Sequence, residues 1–167
     1  AEPIPPKTVY IKNFNISGTP QKAYTFGVHY NGKDFWFANL NFNYFEDVWI
    51  DFYPERRTLT AVSNVANPEF TNQVVEQGSS LWREIIDQER APGAFTVDFF
   101  GGKSWKINDL FIYLNLGVSN ILDKQDFITG GYEQFRFDFE GKDVGRFPNR
   151  YFYSRGRTYF LSLTFRI

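Results

Sequence analysis

Hydrophobic and polar residues alternate with a period of two over several stretches of the chain, the pattern of strands whose two faces meet different surroundings. Across 22–30, Tyr24, Phe26, Val28 and Tyr30 fall on one face and Ala23, Thr25, Gly27 and His29 on the other. Asn31-Gly32-Lys33-Asp34 then predicts a hairpin turn, because Asn and Gly tolerate positive φ. Across 35–45, Trp36, Ala38, Leu40, Phe42 and Tyr44 oppose Phe37, Asn39, Asn41 and Asn43. A strand over 94–107 sets Phe95, Val97 and Phe99 against Thr96, Asp98 and Phe100, with a bulge expected at Gly101-Gly102. After a break at Asn108-Asp109, the strand over 110–119 sets Ile112, Leu114, Leu116 and Val118 against Tyr113, Asn115, Gly117 and Ser119. The last segment, 157–167, alternates to its end, with Tyr159, Leu161, Leu163, Phe165 and Ile167 on one face. A further strand is expected near 7–16.

The connections sort by length. Turns at 31–34 and 107–109 are short, whereas 46–93 and 122–150 are long, and the two kinds alternate along the chain. Structureless loops beyond about 12–15 residues are uncommon in compact domains and are mostly functional. An antiparallel meander with short turns on one rim and long loops on the other is the build of an outer-membrane barrel. Within the first long connection, Ser79-Ser80 ahead of Leu81-Trp82-Arg83-Glu84-Ile85-Ile86 predicts an N-capped helix, stopped by Pro92-Gly93, that packs the loop onto itself.

Composition narrows the classes. The 167 residues carry 18 basic and 19 acidic groups, which gives no electrostatic pull toward nucleic acid. Zero cysteines exclude disulfides, thiolate nucleophiles and Cys-based metal centres, and the single His29 excludes multi-histidine metal sites. Zero methionines lead to the expectation that the chain is cut from something longer. Aromatics reach 20%, and no apolar run approaches the about 18–20 residues of a transmembrane helix. Strands of a membrane barrel need only about 9–11 alternating residues, so a mean hydropathy of -0.40 leaves that class open. The rival class is a secreted soluble β-sandwich module that binds carbohydrate through exposed aromatics, with its apolar faces on a core.

Several stretches resemble the C-terminal barrel of TonB-dependent outer-membrane receptors. They are Ser17-Gly18-Thr19-Pro20-Gln21, the strand from Asp34 to Phe45, and Asp51-Phe52-Tyr53-Pro54-Glu55-Arg56-Arg57-Thr58. Leu114-Asn115-Leu116-Gly117-Val118-Ser119-Asn120-Ile121-Leu122-Asp123 and the ending from Arg155 to Ile167 complete the likeness, which covers nearly the whole chain. The final strand resembles the signal read by the barrel-assembly machinery, although it ends on Ile167 where the family ends on Phe. The resemblance implies an all-β, up-and-down transmembrane barrel segment of about five or six strands from a barrel of about 22. The N-terminal plug is expected to be absent. Other expectations are a bacterial outer-membrane location, lipid contact, the rest of the receptor as partner and, through that missing part, the TonB complex. A surface lipoprotein is an optional partner. The implied function is nutrient uptake, with lumen wall and extracellular capture loops supplied by this segment; no cofactor and no catalysis are expected.

The residues assign themselves to three groups on this reading. Lumen-facing positions are His29, Asn39, Asn41, Asn43, Asp98 and Asn115; the assembly signal is Tyr159, Leu161, Leu163, Phe165 and Ile167. Ligand-binding candidates in the long loops are Tyr53, Arg56, Arg57, Trp82, Tyr132, Phe135 and Arg136, which combine flat apolar faces with donor forks suited to sugars, peptides or anionic chelates. Arg56 and Arg57 have a second reading as partners of loop acids such as Asp51 and Glu55. The acidic stretch 138–143 lacks the ligand spacing of a calcium loop, and Asn15-Ile16-Ser17 matches a glycosylation acceptor. Nucleophilic and metal chemistry have no defensible constellation.

Overall fold

A computed structural model describes residues 7–63 and 75–167. The chain is all-β, mostly antiparallel sheet with a few short helices. Its elements in order are β1 (Pro20–Gly32), β2 (Trp36–Trp49), a 3-10 turn (Pro54–Arg57), α1 (Leu59–Val62), α2 (Ser80–Ile86), β3 (Arg90–Ala91), β4 (Ala94–Ile107), β5 (Leu110–Ser119), β6 (Ile128–Tyr132), β7 (Arg150–Tyr153) and β8 (Thr158–Arg166). β6 and β7 pair with each other, so the connection expected over 122–150 carries strand structure of its own. Two compact units result: of the described residues, the first holds 7–19, 49–63, 75–91 and 130–152, the second 20–48, 92–129 and 153–167.

The second unit is the long-stranded sheet. β1, β2, β4, β5 and β8 follow one another in order, each antiparallel to the last. One continuous row runs His29–Asn39–Phe100–Gly117–Phe160, and the next runs Tyr30–Ala38–Gly101–Leu116–Leu161. Because side chains alternate, rows of the first kind stack the polar positions on one face and rows of the second stack apolar ones on the other. Among the described residues β1 and β8 are the two edges of this sheet and no closed barrel forms. The row Gly32–Trp36–Lys103–Leu114–Leu163 lies twelve residues from the start of β1 and five from the start of β8, so the sheet is sheared along its strands.

Three local expectations change. Gly101 and Gly102 sit in an unbroken ladder rather than a bulge. Their lack of side chains answers crowding instead: a Cβ on Gly101 would come 2.8 Å from the Phe99 ring, and one on Gly102 would come 2.9 Å from the Leu114 carbonyl oxygen. The first hairpin turns at 33–35, with Gly32 still paired to Trp36, and positive φ falls on Asp34 and Phe35 rather than on Asn31 and Gly32. Gly32 is needed beneath the Trp36 indole, where a Cβ would collide with the ring. Residues 7–16 make a single bridge, Val9 to Thr58, and no strand.

The first unit is built around a small core of Ala61, Val62, Ile85, Ile86 and Phe137, with Val75, Trp82, Phe139 and Val144 packed against it. α2 forms as its cap predicts, the Ser79 hydroxyl accepting from the Trp82 N–H at 3.2 Å. It ends at Ile86, well before Pro92, where Asp87 is extended (φ -69, ψ 146), and its last carbonyls are taken by side chains from elsewhere.

Candidate functional site

The first unit holds the loop candidates, and their geometry divides them. Arg56 and Arg57 lie in the 3-10 turn, 8% and 0% exposed, and spend their donors inside the unit. Arg57 donates from Nε to the Ile86 carbonyl at 3.1 Å and from Nη2 to the Asp87 carbonyl at 3.0 Å. Arg56 donates from Nε to the Ile85 carbonyl at 3.0 Å, and from Nη2 to the Glu84 carbonyl. Those four carbonyls belong to the C-terminal turn of α2, the orphan acceptors that every helix end must satisfy and that favour positive charge. Glu133 completes the cluster. It is 4% exposed, accepts both Nη atoms of Arg57, lies 3.6 Å from Arg56, and takes the Tyr53 backbone N–H at 2.9 Å. Burial pulls the Arg56 guanidinium below its ordinary value, and the Glu133 charge opposes that shift. The acid that meets these arginines is therefore Glu133, seventy-six residues away in sequence from Arg57, rather than Asp51 or Glu55.

What the clamp presents outward is aromatic. Tyr53 meets Phe135 edge-on at 5.6 Å, and Phe135 is 79% exposed. Tyr132 meets the Phe152 ring at 5.8 Å, a partner sequence reasoning missed. Arg136 faces solvent. Trp82 packs against the core and also lines a groove together with Tyr10 and Phe14.

Further polar side chains hold the unit together without any local sequence signal. Gln88 acts as a substitute strand partner: its Oε1 accepts from the Asn15 N–H at 2.8 Å, and its Nε2 donates to the Asn15 and Ile50 carbonyls at 3.0 Å. Glu89 accepts from Asn149 and from the Tyr151 hydroxyl. Lys142 is 7% exposed, and its ammonium donates to the carbonyls of Thr60 and Ser63 at 3.0 Å and of Phe139 at 2.5 Å. Burial pushes that ammonium below its usual value. Asp138, which caps the Gly141 N–H at 3.1 Å and pairs with Arg146 at 3.2 Å, is held below the usual carboxylate range by those contacts. The acidic stretch 138–143 is thus organised around a lysine. Among the described residues no three His, Cys, Asp or Glu side chains converge as a metal centre would need.

On the sheet, the residues assigned to a lumen share one face, and several of them bond to one another. Thr25 donates to Asn43 at 2.9 Å, Asn43 donates to Asp98 at 2.8 Å, and His29 meets Asn39. Asp98 also accepts the Asn120 backbone N–H at 2.8 Å. Asn41 pairs with Asp98 across β2 and β4, and Asn115 pairs with Gly102 across β4 and β5. The opposite face carries Tyr159, Leu161, Leu163 and Phe165 at 55–70% exposure, continuing Phe26 at 67% and Tyr24 at 56% on β1.

No protein-family model, curated protein or solved structure matches this chain.

Proposed function

We propose that the chain is the C-terminal barrel segment of a TonB-dependent outer-membrane receptor. It supplies lumen wall and outer capture loops for energised nutrient uptake across the bacterial outer membrane. The observation that carries this reading is the five-strand antiparallel sheet with one face largely apolar, its large side chains on β1 and β8 exposed. Aromatic and amphipathic residues stand at both ends of that face: Tyr24, Tyr44 and Phe95 toward the long connections, Tyr30, Trp36 and Trp105 toward the short turns. Such girdles place rings at the two lipid–water interfaces, and Lys103 beside Trp105, 5.6 Å from its ring, suits a snorkelling cation there. Strand shear supports tilted strands, which barrel closure requires. No helix is long and apolar enough to cross a membrane, which bears only on helical spans.

A soluble sandwich would bury its apolar sheet face, whereas Leu161 is 69% and Phe26 67% exposed. The remaining barrel strands and the plug would come from the rest of the receptor, since an open sheet edge cannot rest in hydrocarbon with unpaired backbone groups. Reconstituting the complete receptor, with this segment in place, into vesicles of brominated lipid tests the reading. A tryptophan placed by Leu163→Trp is expected to be quenched strongly and one placed by Ser162→Trp weakly. Equal quenching at the two neighbouring positions would sink the lipid assignment, as would a monodisperse, cooperatively unfolding monomer in buffer without detergent.

A further inference from the structure

A groove of about 700 Å³ opens in the first unit, floored by apolar groups that include Tyr10, Ile11, Phe14, Leu59, Val62 and Trp82. That volume lies within the range of about 300–1,000 Å³ typical of small-ligand sites. Its rim carries two opposite charges, Lys12 and Asp87, both exposed. Neither makes a side-chain hydrogen bond or ion pair among the described residues, with each other or with anything else. Unlike Arg56, Arg57 and Lys142, whose donors are spent on carbonyls, these groups are available to a ligand.

The wall at Val9–Ile11 adds a third feature. The Tyr10 N–H donates to the Arg57 carbonyl at 2.7 Å and Val9 bridges antiparallel to Thr58, so one edge of this segment is bonded. In antiparallel pairing, successive residues direct their backbone groups to opposite edges; on the other edge the Ile11 carbonyl accepts from the Phe14 N–H at 3.3 Å, and among the described residues no strand pairs there. An edge that no strand covers, next to an apolar floor, is the setting in which an extended peptide adds by main-chain hydrogen bonds.

We propose that this groove binds short apolar peptides with free termini, Asp87 receiving the α-ammonium and Lys12 the α-carboxylate while the side chains lie on the aromatic floor. The charge pair selects this class. A fatty acid would use Lys12 alone, a cationic amphiphile Asp87 alone, and only a zwitterion with an apolar body uses both. The proposal stands on the first unit and is unaffected by whether the sheet meets lipid.

Calorimetric titration of the full chain with trileucine, N-acetyl-trileucine and trileucine amide tests it. Trileucine is expected to bind saturably at one site, and each blocked form about tenfold more weakly, the scale of one charge-assisted hydrogen bond. Asp87→Asn is expected to weaken trileucine about tenfold and leave the acetylated peptide unchanged, while Lys12→Gln does the same with the amide. Circular dichroism checks that the variants fold, and the blocked peptides on the unaltered chain keep the test decisive if one does not. Absence of saturable trileucine binding would overturn the proposal. Indifference to both blocking groups, or equal affinity for decanoate, would overturn it too, marking a general apolar site.

Discussion

Glu133 decides the stability of the first unit because, among the described residues, it is the one carboxylate that meets both Arg56 and Arg57. Removing one member of a buried ion pair strands the other, at about 3–5 kcal/mol, whereas exposed pairs such as Lys7–Glu55 are worth about 0–1 kcal/mol. Glu133→Ala is therefore expected to lower the unfolding free energy of this unit by about 3–5 kcal/mol in denaturant titration, and Glu55→Ala to leave it nearly unchanged. Arg57→Lys is expected to fail as a rescue, because one ammonium cannot serve the Ile86 and Asp87 carbonyls and both Glu133 oxygens. Asp138 has its folded pKa depressed, so its contribution is present above the ordinary carboxylate range and is lost as pH falls through the depressed value. Amide exchange at Gly141 is expected to speed up on such acidification, and Asp138→Asn to remove that pH dependence.

Single elements show how local signals survive or yield. The α2 cap follows the Ser79-Ser80 signal, and Ser79→Ala is expected to cost about 1 kcal/mol in thermal or denaturant unfolding. The first hairpin does not follow its Asn-Gly signal. Trp36 must lie over Gly32 to stay in the apolar row, so the reversal moves on and Phe35 takes a φ of 58°. A bulky residue in the left-handed region costs about 1–2 kcal/mol, and Phe35→Gly is expected to return about that much stability. On β8, faces dictate tolerance. In the complete receptor in lipid vesicles, Leu163→Lys is expected to cost about 2–4 kcal/mol of folding free energy, measured by denaturant titration, and Ser162→Lys far less. Similar costs at both positions would contradict the two-faced assignment.

At the scale of the whole molecule, the two units are held by different means. The sheet unit rests on a ladder of paired strands whose apolar face is exposed, while the first unit gathers three separate stretches of chain around a small core and several buried polar clamps. Short cores rarely suffice alone, and hydrogen bonds to the Gln88, Lys142 and Glu133 side chains fix backbone that no ladder pairs. The face assignments on the sheet were legible because alternation is a local, period-two property, and one register carried through five strands keeps it coherent. The first unit was barely legible. Arg56 and Arg57 read as ligand-gripping forks because their partners lie at the end of α2 and at Glu133, at separations of twenty-eight to seventy-seven residues.

By itself the sequence determined the five long strands, their faces and the capped helix, all properties that neighbouring residues impose on one another within a few positions. Only the tertiary structure decided which charges are spent and which are free. It buried Arg56, Arg57 and Lys142 against carbonyls, and left Lys12 and Asp87, on the rim of an apolar groove, without a side-chain partner among the described residues. The physical reason is that burial and pairing depend on which distant segments meet. A guanidinium or carboxylate reads the same in sequence whether it awaits a ligand or already holds a helix end.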